Sequence, residues 1–382
     1  MKKNKNLNKN NSNKNKFNFD YFKIINELPL LLKTNLIKTN KKIKLNEDRE
    51  LIVNPAIIGD FIVSLPAISS YIKKEKEKRK VKFDIIVSPL VEKLAKRIKG
   101  IENVYISKSI FSRKNESKKN KTNKINQKYS KIIILRISNE TYSLIKSIQT
   151  KEIKSVFLNT FKYSFHLGKN LLFKKKPKQW REINFEFFNL KYEKISFEEI
   201  FNFKLNDYEK IKKMPILKTK SKIILIHTGS TWWANIWKNE NWIELLIKIN
   251  KLDNFKFIFI GGGNIEKTHF NYIQKKLDFK IYSLIERIDI CSLLLLMRIS
   301  NFFIGIDSGP RNMANLANLK SINIFGPGPH MFMPENPKDI IIDKSKGKGL
   351  YERFFYKKSG GYIDKIKPKE IYLNFKKMIK EN

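Results

Sequence analysis

Polar and apolar positions fall in blocks along this chain. Runs rich in apolar residues occupy residues 51–53, 83–87, 104–106, 132–135, 155–158, 223–226, 255–260, 302–306 and 321–325, with least alternation at 302–306. Such runs read as strands buried on both faces, as in a parallel sheet. Between them apolar residues recur at helical spacing, over 61–78, 90–99, 239–249, 266–277, 288–299 and 367–379. A further helix is expected within 17–44, where Ile24, Ile25, Leu28, Leu30 and Leu31 share a spacing. Strand followed by helix followed by strand, repeated, predicts βαβ units and an α/β fold.

The polar stretches divide the pattern. Residues 1–20 are Lys and Asn with almost nothing to bury, and predict a disordered basic tail. Residues 107–129 are lysine-rich and predict an exposed loop. Residues 206–222 are polar, contain Pro215 and precede a fresh strong strand, which reads as a linker. The organisation expected is therefore an α/β domain over 45–205, the linker at 206–222, a second α/β domain over 223–355 and a C-terminal helix at 367–379.

Charge changes this picture and cysteine narrows it. Lys and Arg number 78 against 36 Asp and Glu, a formal net charge of +42 in 382 residues. Such a field favours an anionic partner: nucleic acid, an acidic membrane surface or a polyanionic substrate. A coding bias toward Lys and Asn would produce the same excess. A nucleic-acid binder would interleave basic and aromatic residues on one element, whereas here the lysines spread over tails, loops and helix surfaces, so no nucleic acid is expected. Cys291 is the single cysteine, which excludes an internal disulfide and fits a reducing compartment. The four histidines lack metal-ligand spacing, and no metal or other cofactor is expected. No run reaches the length that spans a bilayer, and the basic N-terminus lacks the apolar segment of a secretory signal. A cytoplasmic protein follows.

Candidate chemistry sits where strands end. The run 302–306 stops at Asp307-Ser308-Gly309-Pro310, and Pro310 suits the start of a helix. Asp307 and Ser308 there either cap that helix or belong to a loop whose free N–H groups bind phosphate. Similar junctions follow at 228–231 and 261–263, all expected at one edge of a parallel sheet. Neither a GxGxxG fingerprint nor a Walker A signature is present. A nucleoside diphosphate without hydride or phosphoryl-transfer machinery is the inference, which points to a sugar nucleotide.

Four segments then carry a specific resemblance: Ile58-Gly59-Asp60 with Ser64-Leu65-Pro66-Ala67; His227-Thr228-Gly229-Ser230 with Trp232, Trp237 and Trp242; Phe259-Ile260-Gly261-Gly262 with Glu266; and Gly305-Ile306-Asp307-Ser308-Gly309-Pro310 with Ala314, then Ile324-Phe325-Gly326-Pro327. In order and spacing, over about residues 50–335, they resemble the heptosyltransferases of lipopolysaccharide biosynthesis, glycosyltransferase family 9. The resemblance implies a GT-B architecture, two Rossmann-like doubly wound domains facing a cleft. It implies an inverting, metal-independent transfer of heptose from ADP-heptose to a lipid-linked anionic lipopolysaccharide core acceptor, at the inner face of the inner membrane.

The resemblance also implies a role for Asp60, which falls on the general base, and Gly59 lets the backbone approach the acceptor. By their chemistry Ser230, Thr231, Ser308 and Gly309 supply N–H and hydroxyl groups for the diphosphate. Asp307 is expected at the donor sugar's hydroxyls because like charges keep it from the diphosphate, and Glu266 either holds the ribose or only occupies the first turn of a helix. The tryptophans read as packing residues. Two positions depart from the family: Asn235 stands where a basic residue is usual, and Asn312 where histidine is usual. Lys238 and Arg311 lie beside them and are expected to substitute at the diphosphate. Alternatives are a family 9 transferase with another donor sugar or glycan acceptor, a basic nucleic-acid-binding protein, and an inactive family member serving as a binding partner.

Overall fold

The computed structural model describes residues 29–34, 36–108, 125–156, 179–230, 233–327, 333–334, 336–345 and 361–380. The expected tail at 1–20, most of the loop at 107–129, Thr231 and Trp232 lie outside the described residues. Of the helix expected within 17–44, residues 29–34 are helical.

Eleven strands form among the described residues, in two groups. The first group is β1 (Arg49–Asn54), β2 (Lys82–Val87), β3 (Ile101–Ile106), β4 (Tyr129–Ile134) and β5 (Thr150–Ser155). The second is β6 (Lys222–His227), β7 (Phe255–Phe259), β8 (Tyr282–Ser283), β9 (Phe302–Ile306), β10 (Ser321–Phe325) and β11 (Ile340–Asp343). Their orders are β3-β2-β1-β4-β5 and β11-β10-β9-β6-β7-β8. Every neighbouring pair is parallel. Each sheet thus reverses direction of winding once, between β1 and β4 in the first and between β6 and β9 in the second. That is the Rossmann-like doubly wound arrangement, built twice.

The central strands match their apolar runs because both faces are covered: Leu51, Ile52, Val53, Ile132, Ile133, Ile224, Leu225, Phe303 and Ile304 are all fully buried. One apolar core surrounds the first sheet and continues onto one face of the second. The other face of the second sheet has its own core, centred on Trp237, Trp242, Phe257 and Phe302. Trp237 and Trp242 meet edge to face at 5.1 Å, and the Trp237 indole N–H donates to Ile366 O at 3.0 Å. Both are packing residues, as their amphipathic rings suggest.

One strand differs from its apolar run. The run at 155–158 is preceded by the real strand, β5, whose Lys151, Glu152 and Lys154 are only partly buried or exposed. An edge strand wets one side, so the test for burial on both faces finds only its last residue, Ser155, and misses its body. The ladder reaches Val156, whose N–H donates to Ile134 O at 2.9 Å.

The helices that matter for the site are α1 (Ile58–Lys78), α2 (Trp180–Phe187), α3 (Leu205–Lys212), α4 (Asn239–Asn250), α5 (Asn264–Gln274), α6 (Ile290–Ile299), α7 (Gly309–Leu316) and α8 (Pro368–Lys380). The stretch 206–222 is more ordered than a polar linker suggests: it carries α3 and a 3-10 turn at Pro215–Leu217 before β6 begins. Across the molecule α1, the crossover from β1 to β2, packs against α7, the crossover from β9 to β10.

Candidate active site

Crevices in doubly wound sheets open at the carboxyl ends of the strands where the winding reverses. In the first sheet those strands are β1 and β4, and the chain leaves them toward Asp60 and Arg136. In the second they are β6 and β9, which end at His227 and run into Asp307 and Ser308. The topology alone therefore gathers these five residues at the two crevices.

Asp60 is the third residue of α1, and the cap position is Ile57, which offers no side-chain cap. Its carboxylate instead accepts from the Arg136 guanidinium at 2.9 Å. The side chains are 17% and 7% exposed, so this is an ion pair largely removed from water. Burial raises the Asp60 carboxyl above its ordinary value, and it outweighs the charge and hydrogen bond of Arg136, which pull the other way. Arg136 also lies over the Trp180 ring at 5.2 Å, which fixes its plane. The arrangement suits a carboxylate that must accept a proton: held in one orientation and more basic than a solvated aspartate.

The amino ends of α1 and α7 touch. A side chain at Gly59 would place its Cβ 3.0 Å from Asn312 Nδ2 and 3.5 Å from Gly309 Cα, and one at Gly309 would lie 3.3 Å from Ile58 Cγ2. Two glycines are thus what lets the two loops meet. Asp60 is the next residue after this contact with Gly309 and Asn312.

On that turn, Ser308 occupies the cap position of α7 without capping it. Its hydroxyl contacts Ile306 O at 3.0 Å and His227 Nδ1 at 3.1 Å, so the simple capping reading does not describe it. The first N–H groups of α7 face the crevice end, where a helix terminus favours an anion. Asp307 pairs with Arg311, Nη2 to Oδ1 at 2.6 Å, and its backbone oxygen accepts from Asn235 Nδ2 at 3.4 Å.

Arg311 is not where a diphosphate ligand would meet it. Its side chain is 1% exposed and lies over the Phe325 ring at 5.2 Å behind Asp307. The guanidinium holds the turn from within. Lys238 precedes α4, is 65% exposed and pairs with Asp364 at 3.4 Å. Asn312, the other departure from the family pattern, is buried against Gly59.

Glu266 sits in the first turn of α5, 3.4 Å from His227 Nε2. Side chains at Gly229 or Gly261 would collide with it, at 2.3 Å and 2.6 Å. The glycines therefore make room for the carboxylate beneath the loop. Burial alone would raise its carboxyl, but the hydrogen bond and charge of His227 prevail and hold it below the ordinary range. Ser230 is half-buried at the end of the same loop. The Thr228 hydroxyl is buried with no hydrogen-bond partner, an unused donor in the loop. Among the described residues no cluster of three His, Cys, Asp or Glu is placed to hold a metal.

The structure brings together Gly59, Asp60, Asp307, Ser308 and Gly309, with Glu266 one contact away through His227. Two participants carry no local signal. Arg136 is merely a charge after an apolar run until β4 is known to lie beside β1. His227 looks like a strand-ending histidine until β9 is known to lie beside β6.

The comparisons fit this geometry. The E. coli ADP-heptose lps heptosyltransferase II is 12% identical, with a TM-score of 0.62 over 87% of this chain and 99% of that one. Family 9 glycosyl transferase from Veillonella parvula DSM 2008 is 14% identical, with a TM-score of 0.64 over 90% and 100%. E. coli heptosyltransferase WaaC, solved with ADP, is 14% identical, with a TM-score of 0.61 over 86% and 99%. No curated protein sequence matches. These likenesses establish the GT-B fold. Residues 154–349, more than half of the chain, match the sequence profile of glycosyltransferase family 9 (heptosyltransferase). With two doubly wound halves meeting at Asp60 and Ser308, and that profile running through the second of them, the chain belongs to glycosyltransferase family 9 and is a glycosyltransferase.

Proposed function

We propose that the protein is an inverting transferase that moves a heptose from ADP-heptose to a lipid-linked, anionic lipopolysaccharide core acceptor, with Asp60 as general base. The observation that carries this reading is the contact of α1 and α7, which brings Ile58 and Gly59, the residues just before Asp60, against Gly309 and Asn312. A base and a helix terminus suited to an anion then face one small space, as an in-line displacement requires.

In the reaction, Asp60 takes the proton of the acceptor hydroxyl as its oxygen forms a bond to the anomeric carbon. The bond from that carbon to the diphosphate oxygen breaks on the opposite face, and ADP leaves with the electron pair. Arg136 keeps Asp60 anionic and aimed. Charge gathering on the diphosphate is met by the N–H groups opening α7 and by the hydroxyls of Ser308, Ser230 and Thr231. Glu266 holds the ribose hydroxyls and Asp307 those of the sugar, with Arg311 securing Asp307 from behind. These donors offset the diphosphate's charge, so no divalent metal is required.

The acceptor side rests on charge. An excess of basic residues giving +42 favours an anionic glycolipid and the anionic membrane face that presents it, at about 1 kcal/mol per basic residue near the surface. No described helix is long and apolar enough to cross a membrane. Another donor sugar or acceptor glycan within the family is the second reading, favoured by Asn235 and Asn312 at positions where the family usually has basic groups.

Two measurements test the proposal. A thermal-shift panel of nucleotide sugars should single out ADP-heptose, since a ligand of the native state must raise the melting temperature. Incubation with ADP-heptose and heptose-free core glycolipid should add one heptose with inverted anomeric configuration. Transfer with retention, or a shift only with other nucleotides, would overturn it.

A further inference from the structure

Residues 29–34 form a helix ahead of the first sheet, and a turn extends it: Leu36 N–H donates to Lys33 O at 3.0 Å and Ile37 N–H to Thr34 O at 3.2 Å. Leu30, Leu31, Thr34 and Ile37 are buried, and the three apolar ones join the core around the first sheet. Leu32 and Leu36, one helical turn apart, face the other way and are 47% and 79% exposed. A short helix serving only the core would show polar side chains on that face. Here water meets two leucines.

Lysines surround them. Lys33, Lys38, Lys41, Lys42 and Lys44 are all exposed, and none of their ammonium groups is paired among the described residues. The carboxylates close to this segment are already matched. Glu47 pairs with Arg49 and with Lys82, Asp48 with Arg79, and Glu152 with Lys131. The segment is fastened to the fold as well: Asn40 N–H donates at 2.9 Å to the carbonyl of Thr150, the first residue of β5, which is the outer strand of its sheet. Thr150 lies at the amino end of that strand, so this contact leaves the carboxyl ends, where the crevice opens, uncovered.

Two features select a partner. Unmatched ammonium groups favour an anionic surface, and exposed leucines favour one with an apolar layer beneath its charge. Nucleic acid satisfies only the first, since its bases stack on aromatic side chains rather than on leucine. A bilayer with anionic headgroups satisfies both.

We propose that Leu32, Leu36 and these five lysines form a membrane-docking surface, the leucines entering the boundary between headgroups and acyl chains while the lysines meet the lipid phosphates. This rests on the membrane part of the reading above and gives that contact a place on the molecule. Neither feature holds a bilayer well by itself; stable but reversible attachment takes an apolar insertion and a basic patch together.

The test is co-sedimentation of the full chain with vesicles of phosphatidylcholine alone, and of phosphatidylcholine mixed with phosphatidylglycerol, over a range of salt. The wild-type protein should pellet with the mixed vesicles and not the neutral ones, and should be released as salt rises. Leu32→Ser with Leu36→Ser should lower the partition coefficient about tenfold and leave the salt dependence in place. Lys38→Gln with Lys41→Gln and Lys42→Gln should lower it by about tenfold or more and flatten the salt dependence. Replacing Lys251, Lys275 and Lys276 with Gln removes the same charge from exposed positions elsewhere and should change binding less than about twofold, because screening confines the effect to lysines near the lipid. All the substituted side chains are exposed, so every variant should melt as the wild type does. Equal pelleting with neutral vesicles, or a loss as large in the second lysine set, overturns the inference alone. So does unchanged vesicle binding in the leucine and first lysine sets, whether or not they dissociate a dimer or weaken binding to RNA. A wild-type protein that pellets with neither vesicle overturns the membrane part of the reading and this inference with it, while the thermal shift with ADP-heptose, which needs no membrane, still judges the donor.

Discussion

Replacing Arg136 with methionine removes the charge that opposes the desolvation of Asp60 while keeping most of the contact with Trp180. The pair is separated by 2.9 Å and both partners are largely buried. Coulomb's law at an effective dielectric of about 20 gives roughly 6 kcal/mol as a ceiling. Aspartates beside arginine show shifts of about 1–3 pKa units, or about 1.4–4 kcal/mol, and the lower range is the safer expectation. The direction is fixed: burial already raises Asp60 above its ordinary value, and losing Arg136 raises it further. The acid limb of the kcat/KM profile for transfer should therefore move up by about 1–3 pH units, with rates above the limb changed little. Donor affinity, measured without acceptor, should stay near wild type, and Arg136→Lys should show a smaller displacement. Stability should follow the same sign. A carboxyl whose folded pKa exceeds its unfolded value binds more protons when folded, so the folded state loses stability as pH rises through that window. The melting temperature of Arg136→Met should thus fall more at pH 7 than near pH 4. An acid limb that stays in place, or a uniform drop at every pH, would refute both the pairing's role and Asp60 as the titrating base.

Asp60→Asn should retain ADP binding and lower transfer by about two to four orders of magnitude, the range for a lost general base; near wild-type turnover would remove Asp60 from the chemistry. Transfer should survive EDTA, and full, reversible loss on chelation would assign the diphosphate's charge to a metal. Arg311→Ala leaves Asp307 without its buried partner and should destabilise the fold by about 3–5 kcal/mol, read from the denaturant midpoint; unchanged stability would mean that the guanidinium does not hold the turn. Lys238→Ala should alter ADP affinity by less than about 1 kcal/mol, because an exposed pair with Asp364 contributes little. A tenfold loss by calorimetry would instead bring that lysine to the diphosphate.

Much of the molecule is readable from its residues. Buried parallel strands need apolar side chains on both faces, so β1, β4, β6 and β9 announce themselves by apolar runs, and β2, β7 and β10 by runs with Asp84, Lys256 and Asn323 set into them. Glycine, serine and aspartate after those runs mark where the chain must turn and where polar groups can be exposed, which is how Asp60, Asp307 and Ser308 stand out from one sequence. Edge strands are harder. β5 mixes lysine and glutamate into its body because one side meets water, and the apolar run at 155–158 touches only its last residue.

What only the tertiary structure decided is which strand ends are neighbours. Asp60 and Arg136 are 76 positions apart and His227 and Ser308 are 81 apart, and each pair meets because two non-consecutive strands lie side by side. Strand order is set by the global packing of two helical layers on each sheet, and periodicity within one segment carries no record of it. Arg311 makes the same point from the opposite side. A cation beside a phosphate-binding turn looks like a ligand group in sequence, yet its position on α7 turns it inward to Asp307 and Phe325, since the helix phase at that residue faces the core rather than the crevice.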